Sequence, residues 1–308
     1  MQNRVLVLIL LAFYMLGCAA GGPAKKPDNK PNGTGQAEES ATGSKQKTEQ
    51  GFSWDKDPRF ITAKQKAGTP LLLASYRATL PDPILGERHN IALAALYLSG
   101  AVVNPGDIFS LNARVGWRSA ERGFKPGPMY SGGRIVATVG GGVCKIASVI
   151  YNVAILADQE IVERHPHSMT VPYVPPGQDA TISFGTKDFK FRNTSGAPIL
   201  IWAQNTGGTL DMAFYGKVKP PQVRWMHKTL SRTDTRTEFL NDPSLPEGAE
   251  KVVYEGAPGV TVHSWVTVTK GKEEFTKDLG ISAYNPMPRV VARGTQPSLA
   301  QIVGRNAK

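Results

Sequence analysis

The chain is poor in cysteine, with two in 308 residues. Cys18 closes an N-terminal apolar stretch, so Cys144 is the one thiol left to the body of the protein. A framework of intrachain disulfides is thereby excluded. Long apolar runs are also lacking. Val5 to Leu16 is apolar almost throughout but short for a membrane span, and no later segment is apolar enough to cross a bilayer. Dense charge blocks are missing as well. Thirty-six basic and 25 acidic side chains give a formal net charge of +11, but it is dispersed, and no tract resembles a nucleic-acid-binding element. Such a surface suits an anionic envelope polymer, through weak and salt-sensitive attraction.

Residues 1–18 read as a lipoprotein signal. Arg4 supplies the charged start, the apolar run follows, and Met15-Leu16-Gly17-Cys18 resembles a lipobox. Cleavage before Cys18 predicts a lipidated thiol that tethers the chain to the extracytoplasmic face of the membrane. Residues 19–53 are small and polar, with almost nothing to bury, and are expected to form a disordered linker. The remainder divides into an expected mixed domain over 54–216 and a β-rich module over 217–308, an α+β protein as a whole.

Leu71 to Thr79 predicts a strand, and Asn90 is expected to cap a helix that Gly100 ends. Residues 113–140, rich in Gly, Arg and Pro, show no period and read as a long connection. After Gly140-Gly141-Gly142, the residues Ile146, Val149, Ile150, Val153 and Ala154 recur at helical spacing. That places Cys144 in the first turn of a helix, where free N–H groups and the dipole favour a thiolate. The glycines are expected to let a substrate backbone approach closely, and Lys145 adds positive charge beside the thiol. As a rival reading, a free cysteine is often a small buried hydrophobe.

Further along come His165-Pro166-His167-Ser168, Asp179 and an expected strand, Thr181 to Phe184. A thiol at a helix start, then histidine, then a polar orienter is the chain order of papain-like and NlpC-type cysteine peptidases. His167 is the expected base, His165 the second choice, and Asp179 the orienter. Two histidines at i and i+2 are half a metal site at most, and no further ligand set stands at a supportive spacing. No metal and no cofactor are expected.

Taken together, Asn90 to Ala95, Asn104 to Asn112, Gly140 to Cys144, Glu163 to Ser168 and Tyr173 to Thr181 resemble the VanW family over roughly Leu71 to Gly216. That resemblance implies a bacterial envelope protein. It also implies a cysteine L,D-transpeptidase in which Cys144 forms a thioester with a peptidoglycan stem peptide. The family usually has glutamine after the cysteine, where this chain has Lys145. Strands expected at Val252 to Glu255, Thr261 to Thr269 and Glu274 to Ile281, with the closing Tyr284 to Thr295, are similar to a G-five domain, a β module of wall proteins. The alternatives are a non-catalytic wall-binding or scaffold lipoprotein, a peptidase with the same site, and a thiol-based stress sensor.

Overall fold

The structure, a computed structural model, describes residues 38–39, 51–80, 85–131 and 134–296. Cys18, the expected signal and most of the expected linker lie outside the described residues. The elements run β1 (Glu38–Glu39), α1 (Pro58–Ala67), β2 (Leu71–Thr79), α2 (Leu85–Leu98), β3 (Ala101–Val103), β4 (Ile108–Ser110) and α3 (Leu111–Val115). A 3-10 turn (Ala120–Arg122) precedes β5 (Pro126–Ser131), β6 (Arg134–Val139), α4 (Cys144–Leu156), β7 (Glu160–Glu163), β8 (Lys190–Arg192), β9 (Ile199–Thr206) and β10 (Thr209–Gly216). Six strands follow: β11 (Gln222–Thr233), β12 (Thr237–Pro246), β13 (Glu250–Tyr254), β14 (Gly259–Lys270), β15 (Glu273–Tyr284) and β16 (Arg289–Gln296). The mixed first part and the all-β remainder make an α+β protein.

Strand alternation organises the first part. β2, β10, β9 and β3 form an antiparallel sheet in that order. Successive side chains of a strand point to opposite faces. Ile199, Ile201 and Ala203 of β9, with Leu210, Met212 and Phe214 of β10, face the main core. Leu200, Trp202, Ala213 and Tyr215 face the other way and pack with Phe60 of α1 and with Trp54. Both faces are covered, so these strands read as apolar runs.

Helix α4 lies in the main core against β2, β10, β7, α2 and β11. Every residue from Ile146 to Leu156 is buried, including Ser148 and Asn152, whose side chains donate to Ala180 O and Gln178 O. Only its first turn, with Cys144 and Lys145, reaches the edge of the core. The later strands share this core. Val223 and Trp225 of β11 and Val266 and Val268 of β14 belong to it, and Trp225 meets Tyr151 of α4 edge-on at 5.7 Å. Beyond them, β1-β11-β14-β15 form one sheet, and β12-β16-β13 form another in which β12 and β16 are parallel.

Three local expectations are corrected. Asn90 is not a cap: α2 begins at Leu85, and Asn90 is buried within it. Its side chain bonds Lys125 O at 2.7 Å, Gly141 O at 3.0 Å and Lys125 N at 2.8 Å, pinning the helix to the glycine turn. The long connection contains α3, the 3-10 turn and the hairpin β5–β6, whose Pro126-Gly127-Pro128 start conceals strand character. Thr181 to Phe184 is not a ladder strand but enters a tight turn closed by the bridge between Ser183 and Lys187.

Trp225→Ala is expected to destabilise the protein by about 3–5 kcal/mol, the usual cost of truncating a buried tryptophan. Urea unfolding checks it; an unchanged midpoint would contradict a core shared between α4 and the C-terminal strands.

Candidate functional site

The chain turns from β6 into α4 through Gly140-Gly141-Gly142. Gly140 and Gly142 hold φ of +81° and +95°, a region that L side chains rarely adopt. Gly141 has no room for a side chain, since a Cβ there would lie 2.1 Å from Gly127 O of β5. A Cβ on Gly142 would meet Glu87, and one on Gly140 would meet the Arg118 side chain. The close approach expected of a substrate is thus made by this chain's own α2, β5 and the loop after α3. Val143 and Lys145 donate their N–H groups to Gly140 and Gly142 carbonyls. The N–H groups of Gly142 and Cys144 have no hydrogen-bond partner among the described residues.

Cys144 is half-buried at the first position of α4. Its Sγ lies 3.3 Å from Thr181 Oγ1 and 3.7 Å from Ile182 O. Burial pushes this thiol up, but the hydrogen bond and charge of His167, with Thr181, outweigh it and hold the thiol at about 7 against an ordinary 9.0. Burial likewise pushes His167 down, while its bond to Asp179 and then its contact with Cys144 raise it to about 9. Between these values the thiolate and the imidazolium coexist, and the two titrations belong to the pair rather than to either ring or sulfur alone.

His167 Nδ1 lies 2.7 Å from Asp179 Oδ2, and the His167 backbone N–H donates to the same oxygen at 2.6 Å. That bond assigns Nδ1 to the carboxylate and leaves Nε2 for the sulfur. Asp179 is fully buried, and its other oxygen accepts from Arg164 Nη2 at 3.0 Å and from the Tyr284 hydroxyl. Burial raises this carboxyl, but His167 and the Arg164 charge keep it below the ordinary carboxylate value. Arg164 reaches on to Ser282 Oγ at 2.8 Å, and Gly177 N donates to Tyr284 Oη at 2.7 Å. Two residues of β15 therefore stand directly behind the orienting carboxylate.

The structure brings Cys144, His167 and Asp179 together and places the other expected site residues elsewhere. His165 Nε2 is 2.9 Å from Glu163 Oε1, while its carbonyl accepts from Thr181 N. The Lys145 ammonium pairs with buried Glu87 and lies 5.1 Å from the Tyr173 ring centroid. Thr181, Arg164 and Tyr284 were not expected from sequence. Thr181 is two residues from Asp179, but Tyr284 is 105 away and no local pattern points to it. Among the described residues, no cluster of His, Cys, Asp and Glu could hold a metal ion. A cleft of about 1770 Å³ runs along Ile155, Gln159, Lys219 and Leu279 and touches Arg164, but includes neither Cys144 nor His167. The thiol site is preferred on chemistry, since the cleft's Lys270 and Lys277 are already paired with Asp158.

This domain pair defines a class, the cell-wall-associated proteins. The chain carries a VanW-like domain, matching the family described as VanW like protein over residues 86–215, and a G5 domain over residues 228–296. It is 42% identical over 145 residues to the uncharacterized protein YoaR of Bacillus subtilis, covering 47% of this chain and 48% of that one. It is 30% identical over 118 residues to the vancomycin B-type resistance protein VanW of Enterococcus faecalis, covering 37% of this chain and 43% of that one. The chain thus spans less than half the length of either relative. The solved G5 domain of an IgA1 protease is similar at 29% identity over 25% of this chain and 95% of that one, with a TM-score of 0.17.

His167→Ala is expected to return the thiol towards its ordinary value and to slow alkylation of Cys144 by iodoacetamide at neutral pH by about tenfold or more. Equal rates in the two proteins would refute the pairing.

Proposed function

We propose that the chain is a cell-wall enzyme that transfers an acyl group of a peptidoglycan stem peptide through a thioester on Cys144. The observation that carries this reading is a thiol at the first position of α4 whose ionisation is coupled to the ring of His167, a ring held in turn by its hydrogen bond to buried Asp179. The thiolate would attack a peptide carbonyl, and the free N–H groups of Cys144 and Gly142 would donate to the resulting oxyanion. His167 would give its proton to the departing amine as the C–N bond breaks. A second amine then takes the acyl group, giving its proton back to His167 and releasing the thiolate; with water instead, the same site is a peptidase. Asp179 keeps the ring in the required tautomer.

The L,D-transpeptidase assignment rests on the VanW-like domain, and the expected wall-glycan contact rests on the G5 domain. Lipidation of Cys18, a linker over 19–53 and domain limits of 54–216 and 217–308 complete the proposal. Export and anchoring would put the site on the extracytoplasmic side, facing the wall. Lys145, in place of the family's glutamine, favours the second reading of a non-catalytic wall binder. Its ammonium is held by Glu87, so it supports the glycine turn and leaves the thiol to His167.

Mass analysis of muropeptides incubated with the protein tests the reading. New cross-links or trimmed stems are expected with the native chain and none with Cys144→Ala. Products that persist in that variant, or no product from the native chain, would reject it.

A further inference from the structure

Arg118 lies against the glycine turn that leads to the thiol, with half of its guanidinium unused. Its side chain lies over Gly140, where a Cβ would come within 2.5 Å of Arg118 Cβ. Its guanidinium sits 5.8 Å from the ring centroid of Phe184, two residues past the Ile182 carbonyl that faces Cys144 Sγ. Nη1 donates to Asn112 Oδ1 at 2.6 Å and to Gly116 O at 3.3 Å, which fixes the plane of the group. Nε and Nη2 have no hydrogen-bond partner among the described residues.

Nor does Arg118 have a carboxylate at ion-pair distance among those residues. Asp188, the nearest candidate by charge, is occupied by Ser110 Oγ, Asn112 N and Phe189 N. Desolvation lowers the Arg118 pKa, and the charges it feels in compensation are those of Cys144 and Asp188. A half-buried cation with two free donors and no fixed counter-ion is poised for an anion that arrives from outside. Exposed Trp117, edge-on to Phe184 at 5.2 Å, borders the same spot.

We propose that Arg118 is an anion-recognition residue of the Cys144 site, taking on its free Nε–Nη2 edge a carboxylate of the peptide that Cys144 attacks. This deepens the acyl-transfer reading and rests on it. The substrate class it selects is a peptide with a free carboxylate close to the scissile bond, in preference to the amidated form. The planar edge of an arginine matches a carboxylate through two parallel bonds, which a lysine cannot reproduce.

Two alkylating reagents of nearly equal shape separate charge recognition from thiol reactivity. In each, the Cys144 thiolate attacks the methylene, an S–C bond forms, the C–I bond breaks and iodide leaves. Iodoacetate carries a carboxylate where iodoacetamide carries a neutral amide. The ratio of their rates cancels any change in the thiolate fraction. In Arg118→Met that ratio is expected to fall by about tenfold relative to the native chain, the scale of one charge-assisted hydrogen bond. Arg118→Lys is expected to fall less, because the charge remains. A ratio unchanged within about twofold in both variants would overturn the proposal, because Coulomb attraction to a half-buried cation must register in it. Should Arg118→Met fail to fold, the native-to-Lys comparison decides: an unchanged ratio overturns the two-donor recognition. Failure of both reagents to modify native Cys144 would overturn the acyl-transfer reading and the subsite together. Reaction with both at an Arg118-independent ratio removes only the subsite.

Discussion

A buried carboxylate is costly unless opposite charge and hydrogen bonds surround it. Asp179 meets that demand with the backbone and ring of His167, the guanidinium of Arg164 and the hydroxyl of Tyr284. Much of the local structure depends on this hub. It fixes the loop after β7, sets the tautomer of the ring that faces Cys144, and ties the turn at Gly177 to β15 through Tyr284. Removing the charge would leave Arg164 buried without its partner, so fold and site stand on the same interaction.

The second constraint is steric. Gly141 and Gly127 cross with no space for a side chain, and Asn90 bonds both Lys125 and Gly141. Helix α2, the β5 strand and the start of α4 are therefore locked together at the thiol. Glu87 and Lys145 add an ion pair under the same turn, with Tyr173 beneath the ammonium. The sulfur is presented from a rigid support, while β11 and β14 close the core on the far side of α4. The C-terminal strands do more than extend the chain: Tyr284 bonds Asp179, which holds His167, and Ser282 bonds Arg164, which holds Asp179.

What the amino-acid sequence discloses follows from how local each determinant is. Helix α4 was legible because its apolar residues recur at helical period, and the long strands because they alternate or are β-branched. Cys144, His167 and Asp179 were legible as a chemical order along the chain. The β5–β6 hairpin was hidden because proline and glycine at its start mask strand propensity and its ladder forms with the neighbouring strand alone. Asn90 looked like a cap because asparagine favours that position, yet its role is set by a hairpin and a turn distant in sequence. Tyr284 and Arg118 act through contacts made only after folding, which no spacing rule encodes.

The chemistry of the site depends on Cys144 ionising near neutral pH beside an imidazolium held by Asp179. Thiolate ultraviolet absorbance, recorded against pH for the native chain and subtracted with Cys144→Ala, measures it directly. The account expects the sulfur to ionise near 7. An inflection at or above the ordinary value of 9.0 would contradict it.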